Sequence, residues 1–246
     1  MGDALRILAK AKAEKTPVLV YGDYDVDGVC ASTLLTQALR RYGIAATPHL
    51  PLRAEGYGLN CEAVRALGAP CVFATVDASA RDFGCASSVS IDDHAAAGAV
   101  ITGLIQKGHT RIAIFGGART PTIGDSFSQR YMGVMDAFRE AGLIFDDGRY
   151  VETRFSLQGA YDSARTFLAA YADTTAVFAM SDTVAMGVIR ALNDMGRRVP
   201  EDVSVFGFDG TELGKYFIPR LSTVEQPVDE MALQCVQVLT DMLEHN

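Results

Sequence analysis

Short apolar runs alternate with helix-patterned segments along the whole chain, and this alternation limits the fold more than any other feature. In the first part, Val18–Tyr21, Ile44–Leu50, Cys71–Val76 and Ser88–Ile91 read as strands. In the remainder the strand candidates are Arg111–Phe115, Tyr150–Phe155, Ala176–Met180, Val203–Phe206 and Leu221–Glu225. Helical spacing covers Met1–Thr16, the series Leu34, Leu35, Ala38, Leu39 and Tyr42, and then Cys61–Leu67 and Ala95–Lys107. It returns in Arg130–Ala141, Gly159–Ala170, Thr183–Met195 and Val228–Leu243. Gly43, Gly108, Gly142 and Gly196 stand where these helices stop. Strands that are short, apolar and separated by helices imply parallel sheets covered on both faces. With 246 residues there is chain enough for two such lobes. The expected architecture is α/β, two doubly wound Rossmann-like lobes with parallel sheets. Ligands of such folds sit beyond the carboxyl ends of the strands.

Composition narrows the function. The net charge of −8 argues against a broad nucleic-acid surface, so direct DNA binding is not expected. The five cysteines (30, 61, 71, 85 and 235) are scattered and none has CxxC spacing. Structural zinc is therefore not expected, and a reduced cytoplasmic setting is. No apolar run is long enough to span a membrane, and Met1–Thr16 lacks the apolar centre of a leader.

One run carries chemistry of another kind. In Gly22-Asp23-Tyr24-Asp25-Val26-Asp27-Gly28, alternate residues of an extended segment point the same way, which would bring Asp23, Asp25 and Asp27 together. Three close carboxylates repel one another unless a cation neutralises them, and Mg2+ or Mn2+ suits oxygen ligands. Near a helix N-terminus the same carboxylates are also stabilised with no metal at all.

From about Ala86 onward the chain resembles the effector-binding core of the lactose/galactose-repressor (LacI/GalR) family of transcription regulators, a type I periplasmic-binding-protein fold. The residues that carry the resemblance come in order. They are Val89-Ser90-Ile91-Asp92-Asp93 with Gly98, Gly108-His109-Thr110-Arg111, and Arg130-Tyr131-Met132-Gly133. Phe178-Ala179-Met180-Ser181-Asp182, Val199-Pro200-Glu201-Asp202-Val203 through Asp209, and Pro219-Arg220-Leu221-Ser222-Thr223-Val224 follow. The resemblance implies a hinged, two-lobed sensor that binds a small polar, sugar- or nucleobase-like ligand in its cleft. It places Arg130, Asp209, Phe155, Ser181, Asp182 and Asp93 at ligand-binding positions. It also implies a homodimer, and lobes spanning residues 1–108 with 224–246 and residues 109–223. Asp93 and Asp182 suit helix caps equally well, and His109 and Arg111 read as structural.

Residues 16–77 resemble the first part of the DHH phosphoesterase family, notably the RecJ-type exonucleases. Val20 through Val29, Arg53-Ala54-Glu55-Gly56-Tyr57-Gly58-Leu59-Asn60 and Thr75-Val76-Asp77 carry this likeness. It implies Mn2+ or Mg2+ held by Asp25, Asp27 and Asp77, with Asp23 and His94 as neighbours. The Asp-His-His motif of that family is reduced here to Asp93-His94-Ala95. The expectation is a recombined or engineered chimera, even a designed fold test. Its phosphoesterase-like segment 1–80 completes a repressor-type lobe, and nothing near Met1 resembles a DNA-reading helix-turn-helix. Ligand binding is the leading function, in impaired form, and no cofactor is required. The alternative is a metal-dependent phosphodiesterase.

Overall fold

The computed structural model of the chain describes residues 2–21, 26–49, 71–74, 86–117, 119 and 126–244. Packing divides the chain into two compact units. One comprises Met1–Phe73, Asp82–Ser87 and Ala232–Asn246, and the other Ala74–Arg81 and Ser88–Met231.

The first unit opens with helix α1 (Gly2–Glu14), strand β1 (Val18–Tyr21), helix α2 (Val26–Arg41) and strand β2 (Ala46–His49). β1 and β2 pair in parallel, from Val18 opposite Ala46 to Tyr21 opposite His49, with α2 as the crossover. Val20, Leu39, Ile44 and Ala46 form the local core. Two expectations change here. The helix begins at Val26, so Asp27 lies in its first turn and the period-two argument for the carboxylates does not reach it. Leu34, Leu35 and Tyr42 have the spacing of a core stripe but are exposed, and α2 instead buries Ser32, Thr36 and Leu39. Residues i, i+4 and i+7 share a helix face, and in α2 the polar-bearing face is the one turned inward. β3 (Cys71–Ala74) and β4 (Ala86–Val89) make a second two-stranded sheet. β4 ends earlier than the expected Ser88–Ile91, because Ile91 and Asp92 are taken up by the turn into the next helix.

The second unit is built on one parallel sheet. It contains α3 (Asp93–Gln106), β5 (Ile112–Gly116), α4 (Ser126–Glu140), β6 (Tyr150–Glu152) and α5 (Leu157–Ala170). β7 (Ala176–Ala179), α6 (Asp182–Asp194), β8 (Ser204–Asp209), α7 (Glu212–Tyr216), β9 (Ser222–Glu225) and α8 (Val228–Glu244) follow, the last running on into the first unit. The strand order is β6-β5-β7-β8-β9, every pairing parallel. Alternation along the strands fills both faces. Ala113, Phe115, Val177 and Ala179 join a core with α5 and α6. Ile112, Ile114, Ala176 and Phe178 join a separate core with α3 and α4. The chain reverses its winding between β5 and β7, and that crevice is where this class of sheet places ligands.

α3 and α4 approach closely. A Cβ added to Gly133 of α4 would overlap the carbonyl oxygen of His94 in α3, so only glycine fits there. His109 is structural, its Nδ1 lying 3.1 Å from the Thr175 hydroxyl. Burial, helped by Lys107, holds its pKa below the ordinary histidine value.

Candidate functional site

Helix caps set the site from below. Asp92, not Asp93, caps α3, accepting from the Ala95 N–H at 2.8 Å. That releases Asp93 to point inward. Ser181, not Asp182, caps α6, accepting from the Val184 N–H at 3.2 Å. In both pairs the neighbouring aspartate, which by sequence suits a cap as well as a ligand position, is buried with other partners.

The centre is Arg130. It lies on α4, 5% exposed, and its guanidinium is fixed on several sides. Nε donates to Asp93 Oδ1 at 2.7 Å, and Nη1 donates to the Met180 carbonyl, at the carboxyl end of β7, at 2.6 Å. The guanidinium carbon lies 3.6 Å from the centre of the Phe208 ring, a cation–π contact. Nη1 is also 3.9 Å from Asp209 Oδ1. A buried charge is tolerated only when paired and hydrogen-bonded, and Arg130 meets that requirement.

Asp209 ends β8 with φ of +113°, outside the range that side chains with a Cβ prefer. The Gln226 amide donates to its Oδ1 at 2.9 Å. Burial raises its pKa above the ordinary carboxylate value, against the opposing pull of Arg130 and Gln226. Phe155 follows β6, is partly exposed and lies beside Gly117 at the end of β5. Asp182 is fully buried, and its carboxylate accepts from Thr211 and Thr223. The second unit thus brings Asp93, Arg130 and Asp209 together, with Asp182 and Ser181 beneath them at the start of α6. The Thr211 and Thr223 tie was not visible in the sequence.

Of the residues singled out as metal ligands, Asp23, Asp25 and Asp77 lie outside the described residues. Asp27 is placed only as a helical residue of α2. His94 Nε2 is 2.9 Å from Asp136 Oδ2, across the α3–α4 crossing. Among the described residues no group of three or more His, Cys, Asp or Glu side chains converges as a metal site would. Also among these, no helix is long and apolar enough to cross a membrane.

Comparison with known proteins gives these features a context. Residues 101–246 match the family described as "Periplasmic binding protein-like domain". The HTH-type transcriptional repressor PurR of Erwinia tasmaniensis is 35% identical over 153 residues, 61% of this chain and 44% of that protein. The chain thus spans under half the length of the curated relatives it matches. A putative transcriptional regulator of the LacI family from Sanguibacter keddieii superposes with a TM-score of 0.69 at 24% identity, covering 94% of this chain and 90% of that one. A sugar-binding LacI-family regulator from Escherichia coli, complexed with phosphate, gives 0.70 at 20% identity, covering 94% and 91%. At these identities the structural likeness establishes the fold, a two-lobed, periplasmic-binding-protein-like α/β architecture.

Proposed function

The chain belongs to the periplasmic-binding-protein-like family, and from that premise we propose that it is a small-molecule effector-binding core of the lactose/galactose-repressor type. The observation that carries this is the buried Arg130, clamped by Asp93 and the Met180 carbonyl and facing Asp209 at the carboxyl ends of β7 and β8. A rigid guanidinium beside a carboxylate offers donors and an acceptor in fixed places, which suits a polar sugar- or nucleobase-like ligand. Phe155 supplies an apolar face near Gly117. In this reading Arg130, Asp209 and Phe155 touch the ligand, while Asp93, Ser181 and Asp182 hold them in place. Homodimerisation, a cytoplasmic setting and action without a metal belong to the same proposal. PurR and the LacI-family regulators support it by name and fold.

The finer reading of residues 16–77 as a phosphoesterase-derived segment, and so of a recombined or engineered chimera, draws only on the sequence run around Asp23–Asp27 and Asp77. No structural observation favours hydrolysis over binding, so Mn2+ or Mg2+ at Asp23, Asp25, Asp27, Asp77 and His94 stays a secondary proposal.

Titration calorimetry of the intact chain against D-ribose, cellobiose and hypoxanthine tests the binding reading. One of them should bind, and Arg130→Ala should weaken it at least tenfold, in line with loss of a charged hydrogen bond worth about 1.5–3 kcal/mol. Affinity should fall as pH drops through the raised pKa of Asp209, because the protonated acid is a poorer acceptor. Asp209→Asn should flatten that dependence. Heat from none of the three would count against the proposal.

A further inference from the structure

Asp182 opens α6, yet α6 does not need its oxygens, because Ser181 already caps the helix. Both oxygens are committed elsewhere. Oδ2 accepts from the Thr211 N–H at 2.6 Å and from the Thr211 hydroxyl at 2.9 Å. Oδ1 accepts from the Thr223 hydroxyl at 2.5 Å. The Thr223 oxygen in turn accepts from the Gly210 N–H at 3.3 Å. The N–H groups gathered this way belong to the two residues that directly follow Asp209. Those two residues leave a turn in which Asp209 has φ of +113° and Gly210 φ of +73°. A residue with a Cβ holds such a conformation only when its surroundings over-determine it. Gly207, just before the turn, is packed so tightly on Asp182 Oδ1 that a Cβ there would overlap it, so β8 itself is built around this carboxylate.

We propose that Asp182 is a positioning residue for the ligand site: acting through Thr211 and Thr223, it locks the left-handed turn that presents the Asp209 carboxylate beside Arg130. It sets the geometry of the acceptor without touching the ligand. The functional meaning rests on the effector-binding reading given above; the claim about the turn does not. The alternative is a carboxylate that merely steadies α6 and the sheet.

The full chain, isotopically labelled, separates the two. Amide exchange and the HN–Hα coupling of Asp209 are read by NMR in the wild type, Asp182→Asn, Thr223→Val and Thr223→Ser, with melting curves alongside. Thr223→Val removes one hydroxyl at nearly constant volume, so it decides the matter even if Asp182→Asn fails to fold. The expected result is at least tenfold faster exchange at Gly210 and Thr211 relative to the β7 amides of the same molecule. The Asp209 coupling should change with it, and Thr223→Ser should restore both. For whichever of D-ribose, cellobiose or hypoxanthine binds the wild type, Thr223→Val should cost at least tenfold in affinity. In an Asp209→Asn background the same change should cost nothing further. Faster exchange spread evenly over the unit, an unchanged Asp209 coupling, or additive losses would overturn the proposal. If no probe binds the wild type, the effector reading fails, while the exchange measurements still decide whether Asp182 holds the turn.

Discussion

The β1–α2–β2 segment and the five-stranded unit use the same strand–helix–strand grammar, yet among the described residues only the second buries charged side chains. In α2, Thr36 is turned inward and its buried hydroxyl has no hydrogen-bond partner among the described residues, as Arg197 Nη1 has none in the sheet unit, while Leu34 and Leu35 of the same helix face outward. In the sheet unit, the fully buried Asp182 receives three donors, and the buried Arg130 has a carboxylate, a carbonyl and a ring. An unanswered polar atom in a low-dielectric interior costs stability and specifies nothing. A fully answered network fixes one arrangement. The difference teaches where the molecule is specified closely: around the carboxyl ends of β7 and β8, not around α2.

Four substitutions, one of them with a compensating second change, break or sharpen this contrast, each read by chemical denaturation. Phe178→Ala, at the centre of the covered sheet, should cost about 4 kcal/mol, as large-to-small changes in tight cores do. Leu34→Ala on α2 should stay within about 0.5 kcal/mol, as surface changes do, and equal losses would erase the distinction. Asp93→Leu comes next. It strands the Arg130 charge indoors and should cost about 3 kcal/mol, with Arg130→Met in the same chain recovering most of it. The last effect runs the other way. Thr36→Val removes the unpartnered hydroxyl and should stabilise the chain by about 1 kcal/mol; a loss instead would mean that the hydroxyl is satisfied in solution.

β5 and β7 were legible because both their faces are covered, so the apolar run needs no period to announce it. β6 was read too long: after Glu152 the chain turns toward Ser156, which caps α5 by accepting from the Gly159 N–H. α7 was missed because Glu212–Tyr216 is little more than one turn and carries no helical repeat. The caps at 92/93 and 181/182 are ambiguous by one residue in sequence, since two adjacent side chains can cap and only the backbone chooses between them. Ser181 has the extended φ of −158° that a cap needs. Arg130 and Asp209 came from family likeness rather than from pattern. The Asp182 tie could come from neither, because its partners lie 29 and 41 positions away and threonines in such positions are commonplace.

Gly133 has a bearing on how this region can vary. Its α-carbon sits against the His94 carbonyl where α3 and α4 cross, and no room is left for a methyl group. Asp93 is the residue next to His94, and Arg130 is one turn back from Gly133 on the facing helix. Widening the crossing would be levered into the carboxylate–guanidinium bond at 2.7 Å. Position 133 is thus a gauge rather than a chemical group. A library randomised at that single codon would be selecting for a distance between two helices, and through it for the reach of the arginine one turn back.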